Sequence, residues 1–307
     1  MIRATLALLL AASTLSGCGT PPPADSAPDE TFWSHRFAVT EDVAYGPDPA
    51  QKLDLYLQGS WVGEPTYFER APDPRPALIF IHGGGWIGGD KTGQDILFLP
   101  FLERGWHVAN ITYRLGPSTA PAAVDDALCA LKLVADSAGA YGIDRTKIVV
   151  SGASAGGHLS LTTAILGSRP GHPCYPGDGF RVAAAINWFG ITDIAAVERF
   201  LAEHLPEFNY ARGWVGDTAR IADISARYSP LALVDATAPP ILTIHGEVDS
   251  VVPHSQAAAF HTRLAELGVV NQLLSLPGGK HAGFTDDQFQ RAWRAMFRFL
   301  GERGVTR

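Results

Sequence analysis

The sequence predicts a doubly wound α/β fold, with a mainly parallel sheet and an antiparallel N-terminal hairpin, and three observations carry that expectation. Continuous apolar runs recur at residues 77–81, 107–111, 148–151, 182–188 and 241–244. Such runs suit strands buried on both faces rather than the in-out alternation of a half-wet sheet. Stretches with helical spacing of apolar residues lie among them, at about 121–140, 155–167, 254–268 and 286–303, so strand and helix alternate. No linker interrupts the pattern, which makes a single domain of residues 37–303, although length alone would also allow two.

Taken in order, the chain opens with Arg3, an apolar run over residues 6–12, and Leu15-Ser16-Gly17-Cys18. The run is too short to span a bilayer and carries the charge and small-residue pattern of a cleaved export signal. The tetrapeptide resembles the lipobox of bacterial lipoprotein precursors, with residues 1–17 as the signal peptide. That resemblance implies acylation of Cys18, tethering to a membrane through lipid, and a place in the bacterial cell envelope. Gly19 in place of an aspartate points to the periplasmic side of the outer membrane. An ordinary secretory signal or a short buried helix are the alternatives. Residues 18–36 are proline-rich, small and polar, an extended tether.

Residues 39–45 and 53–57 read as two strands around the Gly46-Pro47-Asp48-Pro49 turn, and the alternation of the second suits a hairpin half exposed at the sheet edge. The apolar runs and helical stretches then follow one another. Residues 192–230 break the pattern with one helical stretch and an aromatic, glycine-broken remainder. An insertion here would overhang the strand ends where ligands bind in open α/β sheets, so a small cap is expected. The alternative is a surface helix pair without contact to substrate. Residues 301–307 read as a frayed tail.

The chain has 307 residues, 46% of them hydrophobic, and a net charge of −7. A large core is affordable, and the acidic balance without basic blocks excludes nucleic acid as the expected partner. No Cys/His spacing suggests a metal, and no cofactor is expected. With Cys18 consumed by lipid, Cys129 and Cys174 remain. They are either a disulfide of an oxidising compartment or two buried thiols acting as small hydrophobes, and both readings stand at this point.

The residues suited to chemistry centre on Gly152-Ala153-Ser154-Ala155-Gly156, which follows a β-branched strand and precedes a helical pattern. In that setting G-x-S-x-G reads as a nucleophile elbow, its glycines needed because a Cβ would strike neighbouring backbone. A serine nucleophile needs a base, an acid that orients it, and donors for an oxyanion. Asp249, in the turn after the 241–244 run, is the expected acid, ahead of Glu247, which comes too early in the turn. His281, on the glycine-rich loop after residues 273–276, is the expected base. His158, His245, His254 and His261 are given structural or surface roles. His82-Gly83-Gly84-Gly85-Trp86 follows the 77–81 run and lets backbone N–H groups face inward, so Gly84 and Gly85, with the amide of Ala155, are the expected oxyanion donors. A phosphate loop is the rival, but the G-x-x-x-x-G-K-[ST] spacing is missing and Lys91 lies too far along.

Together with Gly88-Gly89-Asp90-Lys91 and Thr112-Tyr113-Arg114, these motifs resemble the α/β-hydrolase esterases related to hormone-sensitive lipase, and most closely the bacterial acetyl/feruloyl esterase branch. The likeness covers residues 37–303. It implies an α/β-hydrolase fold, cleavage of short-chain or aromatic acyl esters through an acyl-enzyme, and a small-molecule or glycan-linked ester as partner. The chain departs from many relatives in reading Leu115-Gly116-Pro117-Ser118 where they have Ala-Pro-Glu, and in lacking their N-terminal cap helices. An amidase, a peptidase with the same triad and a non-catalytic binding protein of this fold are the rival expectations.

Overall fold

Each apolar run becomes a strand because a sheet covered on both faces needs apolar side chains at every position. A computed structural model describes residues 37–62 and 67–306. The signal peptide, Cys18 and the tether lie outside the described residues. The strands are β1 (Phe37–Ala44), β2 (Lys52–Val62), β3 (Tyr67–Arg70), β4 (Arg75–Ile81), β5 (His107–Ile111), β6 (Ile143–Ala153), β7 (Ala184–Trp188), β8 (Ile241–Gly246) and β9 (Asn271–Leu276). Among the described residues they form one sheet in the order β1-β2-β5-β4-β6-β7-β8-β9, with β3 paired to β2. β1 and β5 flank β2 antiparallel, and every pairing from β5 to β9 is parallel.

Alternate residues of one run feed opposite cores. Ile79, Ile81, Ile148 and Val150 pack towards the helices Ala122–Asp136, Ala155–Leu166 and Ser255–Glu266. Leu78, Phe80, Val149 and Ile186 pack with Phe101 of the helix Leu99–Glu103 and Met296 and Phe299 of the helix Asp286–Gly301. That period of two, set into helices on both sides, is the doubly wound architecture. β5 and β6 lie on either side of β4. The chain thus reverses its direction of winding there, and a crevice opens at the carboxyl ends of β4 and β6.

Several local expectations change. The helix expected over 121–140 is two, Ala122–Asp136 and Ala138–Tyr141, broken at Ser137 and stopped by Gly142 at φ 69°. β3 was not expected, because its short sequence has no apolar run and it forms only by pairing with the far end of β2. The tail is docked rather than frayed. Val305 is buried in the second core, and Lys147 Nζ donates to Thr306 O at 3.0 Å. Cys129 and Cys174 form a disulfide joining the helix Ala122–Asp136 to the loop after Leu166, which decides between the two readings of that pair.

Candidate active site

Ser154 sits between β6 and the helix Ala155–Leu166 at φ 57°, ψ −120°, a conformation a non-glycine residue adopts only when its surroundings enforce it. The enforcement is visible. Ser154 N donates to Trp188 O at 2.9 Å, and His158 N donates to Ser154 O at 3.0 Å. A Cβ on Gly152 would lie 2.2 Å from Gly156 O, and one on Gly156 would lie 2.0 Å from Ile81 O. The two glycines let β4, β6 and the helix meet, which lifts the Ser154 hydroxyl to the crevice.

His281 reaches the serine from the loop after β9. Its Nε2 is 3.0 Å from Ser154 Oγ and its Nδ1 is 2.7 Å from Asp249 Oδ2. The Phe189 ring meets the imidazole edge-on at 4.8 Å and limits its swing. Asp249 lies just beyond β8 with its side chain wholly buried. Its Oδ1 accepts the amides of Val251 at 2.8 Å and Val252 at 2.9 Å. Burial alone would raise its carboxyl pKa, but the N–H groups of His245, His281 and the Val252 amide beside it outweigh burial and hold the group below the usual carboxylate range. Glu247 is exposed in the same turn. The residues expected as nucleophile, base and acid are thus within hydrogen-bond reach of one another, from three loops far apart in sequence.

The loop after β4 forms the facing wall. His82 Nδ1 donates to Gly83 O at 2.7 Å, and its ring stacks on Tyr113 at 4.5 Å, where burial pushes its pKa down. Tyr113 donates its hydroxyl to His82 O at 3.0 Å. Gly83 N is committed to Gln94 Oε1 at 3.2 Å. Gly84 and Gly85, at φ 125° and 63°, run along the cavity. A Cβ at Gly84 would strike Gly88 O at 2.0 Å. Ala155 opens its helix, so its amide is one of the first-turn N–H groups without an intrahelical acceptor. Trp86 is buried beneath the loop, stacked on Trp214 at 4.5 Å, and donates its Nε1 to His158 Nδ1 at 3.2 Å.

The crevice is a cavity of about 450 Å³ whose wall includes Ile96, Leu97, Phe189, Tyr210, Val251 and Phe289 around Ser154 and His281. From the segment 192–230 only Tyr210 lines it, donating its hydroxyl to Val251 O at 3.3 Å. Trp214, from the same short helix Tyr210–Val215, turns into the core instead. One contact was missed by sequence reasoning. His245, assigned structure or surface, lies with Nε2 3.3 Å from Asp249 Oδ2. Its signal was the four-residue spacing of His245 and Asp249 across the strand end.

A parallel sheet with a serine on the tight turn after its central strand, and a buried aspartate and then a histidine brought to it from later strand ends in that order, is the α/β-hydrolase arrangement. Within that fold the chain belongs to the BD-FAE family, whose family model matches residues 67–264. It is similar to esterase LipC of Mycobacterium tuberculosis, 31% identical over 80% of this chain and 60% of the relative. It is also 30% identical to ethyl acetate hydrolase of Pseudomonas putida, over 71% of this chain and 70% of that protein. The chain spans less than two thirds of the length of LipC and of LipQ. Among solved structures, a truncated carbohydrate esterase from gut microbiota superposes with a TM-score of 0.70 at 25% identity, over 89% of this chain and 98% of that one. Thermogutta terrifontis esterase 2 with butyrate bound does so with a TM-score of 0.66 at 25% identity, over 88% and 95%.

Proposed function

We propose that the chain is a serine hydrolase of carboxylic esters, acting on short-chain (acetyl) or aromatic acyl esters through an acyl-enzyme. Ser154 Oγ attacks the ester carbonyl while His281 Nε2 takes its proton. Asp249 fixes the Nδ1–H tautomer and stabilises the imidazolium. The amides of Gly84, Gly85 and Ala155 receive the oxyanion, each such donor lowering the barrier by about 3 kcal/mol. The alcohol leaves with the proton from His281, and water, deprotonated by the same imidazole, releases the acid. The carrying observation is the unbroken hydrogen-bonded line Ser154–His281–Asp249, at 3.0 and 2.7 Å, opening on a mainly apolar cavity. Support comes from relatives named as esterases and from a structural neighbour with butyrate, a short-chain carboxylate, bound. The test is Ser154→Ala, expected to abolish hydrolysis of p-nitrophenyl acetate in a folded protein. Full retention of activity sinks the reading.

The reading extends to location. A lipid on Cys18 would tether the domain through residues 18–36 in the cell envelope, and the Cys129–Cys174 disulfide supports an oxidising compartment. Cys18→Ser is expected to release the protein from membranes; membrane retention refutes the anchor.

A further inference from the structure

His245 is wholly buried near the end of β8. Its Nε2 is 2.9 Å from Val252 O and 3.3 Å from Asp249 Oδ2. Both are acceptors, so Nε2 carries the hydrogen; it donates to Val252 O and stands beside the carboxylate oxygen. Nδ1 is buried and meets no hydrogen-bond partner among the described residues. A histidine kept only to fill space would leave that orphan for no return, since a leucine would fill the site without it. The reason for the ring therefore lies at Nε2.

Asp249 uses both oxygens fully. Oδ1 takes two backbone amides, and Oδ2 takes the N–H of His281 and has His245 Nε2 3.3 Å away. The His245 ring is held in turn by His254, edge-on at 5.5 Å, whose Nε2 is 2.8 Å from Ser275 Oγ on β9. We propose that His245 is a positioning residue for the hydrolytic reaction: it clamps the Asp249 carboxylate and the Val252 turn, and takes up part of the charge that Oδ2 offers to His281. This rests on the reading of Ser154, His281 and Asp249 as the catalytic set.

The consequence has a definite sign. Without the polarised N–H beside it, Oδ2 offers more charge to His281, the imidazolium is better stabilised, and the base is lost to protonation at higher pH. The other titratable groups around the pair are Tyr210 and His254, which face Asp249, Glu247 in the same turn, and Lys280 beside His281. All remain in each variant, so a shift reports the removed ring.

The experiment measures kcat and KM for p-nitrophenyl acetate between about pH 5 and 9 in wild type, Ser154→Ala, His245→Leu and His245→Gln, with folding checked by circular dichroism. In His245→Leu the acid limb of kcat/KM is expected to move up by about half to one pH unit. Its plateau kcat is expected to fall roughly tenfold with KM nearly unchanged, from the loss of the hydrogen bond that holds the Val252 turn beneath Asp249. His245→Gln, whose amide nitrogen stands near the place of Nε2, is expected to restore most of both. A merely structural role would not raise the limb. An unmoved or lowered limb in folded His245→Leu overturns the proposal. If that variant does not fold, His245→Asn, too short to reach Oδ2, takes its place with the same outcomes. Wild type no faster than Ser154→Ala overturns the catalytic reading itself, independently of His245.

Discussion

Gly156→Ala isolates the steric argument for the elbow. The added Cβ would lie 2.0 Å from Ile81 O and 2.4 Å from His82 O, both backbone atoms at the end of β4. Bringing it to an ordinary C···O contact of about 3.3 Å requires a separation of roughly 1.3 Å between the helix and β4. That displacement falls between Ser154 and the loop carrying Gly84 and Gly85, the two halves of the proposed oxyanion site. Overpacking against rigid backbone is expected to cost about 3 kcal/mol of stability. Misplacement on the ångström scale is expected to lower kcat by about a hundredfold. The matched control is Gly139→Ala at the exposed second position of the short helix Ala138–Tyr141, where a Cβ meets nothing within 4 Å. It is expected to be neutral or stabilising by up to about 1 kcal/mol. Urea unfolding and p-nitrophenyl acetate turnover on both variants read the two effects. A Gly156→Ala protein with wild-type midpoint and wild-type kcat refutes the reasoning.

Two further predictions concern the scaffold. The Cys129–Cys174 bond spans a sequence separation of 45, and closing a loop of that size constrains the unfolded chain by about 4 kcal/mol in the chain-entropy model. Cys129→Ser/Cys174→Ser is expected to lose about 2–4 kcal/mol in urea unfolding, and an unchanged midpoint contradicts the contribution assigned to the bond. His107 and His158 are held neutral by burial, each pushed down to about 4. The unfolded chain, with histidines near 6.5, binds protons first as the pH falls. Stability is therefore fully present above about pH 6.5 and declines towards pH 4, by about 2–3 kcal/mol per histidine at pH 4.5. Equal unfolding free energies at about pH 7.5 and pH 4.5 would remove both groups from the linkage.

Legibility in the sequence followed the range of the interaction. The strand carrying Val149 and Val150 and the turn at Ser154 are local patterns, visible in a few consecutive residues. The order Ser154, Asp249, His281 was readable because each follows an apolar run, and the sheet carries the ends of β6, β8 and β9 to one edge. β3 was invisible because four residues without an apolar run take their conformation from a partner strand. The tail was misread because Val305 is buried through contacts with the second core, which lies far away in the chain. Segment 192–230 gave a clear helix at Ile194–His204, where the apolar spacing is regular. Its later helices, one of which carries Gly213 inside it and ends at Gly216, are supported from outside, as where Trp214 stacks on Trp86.

By itself, then, the sequence determined the alternation of strands and helices, the serine turn and the order of the residues that meet there, because periodicity and turn sterics act over a few residues. Only the tertiary structure decided that Cys129 bonds Cys174, that Tyr210 rather than Trp214 lines the cavity, and that His245 shares Asp249 with His281. Each depends on where a side chain arrives after the sheet has closed, and a distance of 3 Å between groups far apart in the chain leaves no periodic trace in its sequence.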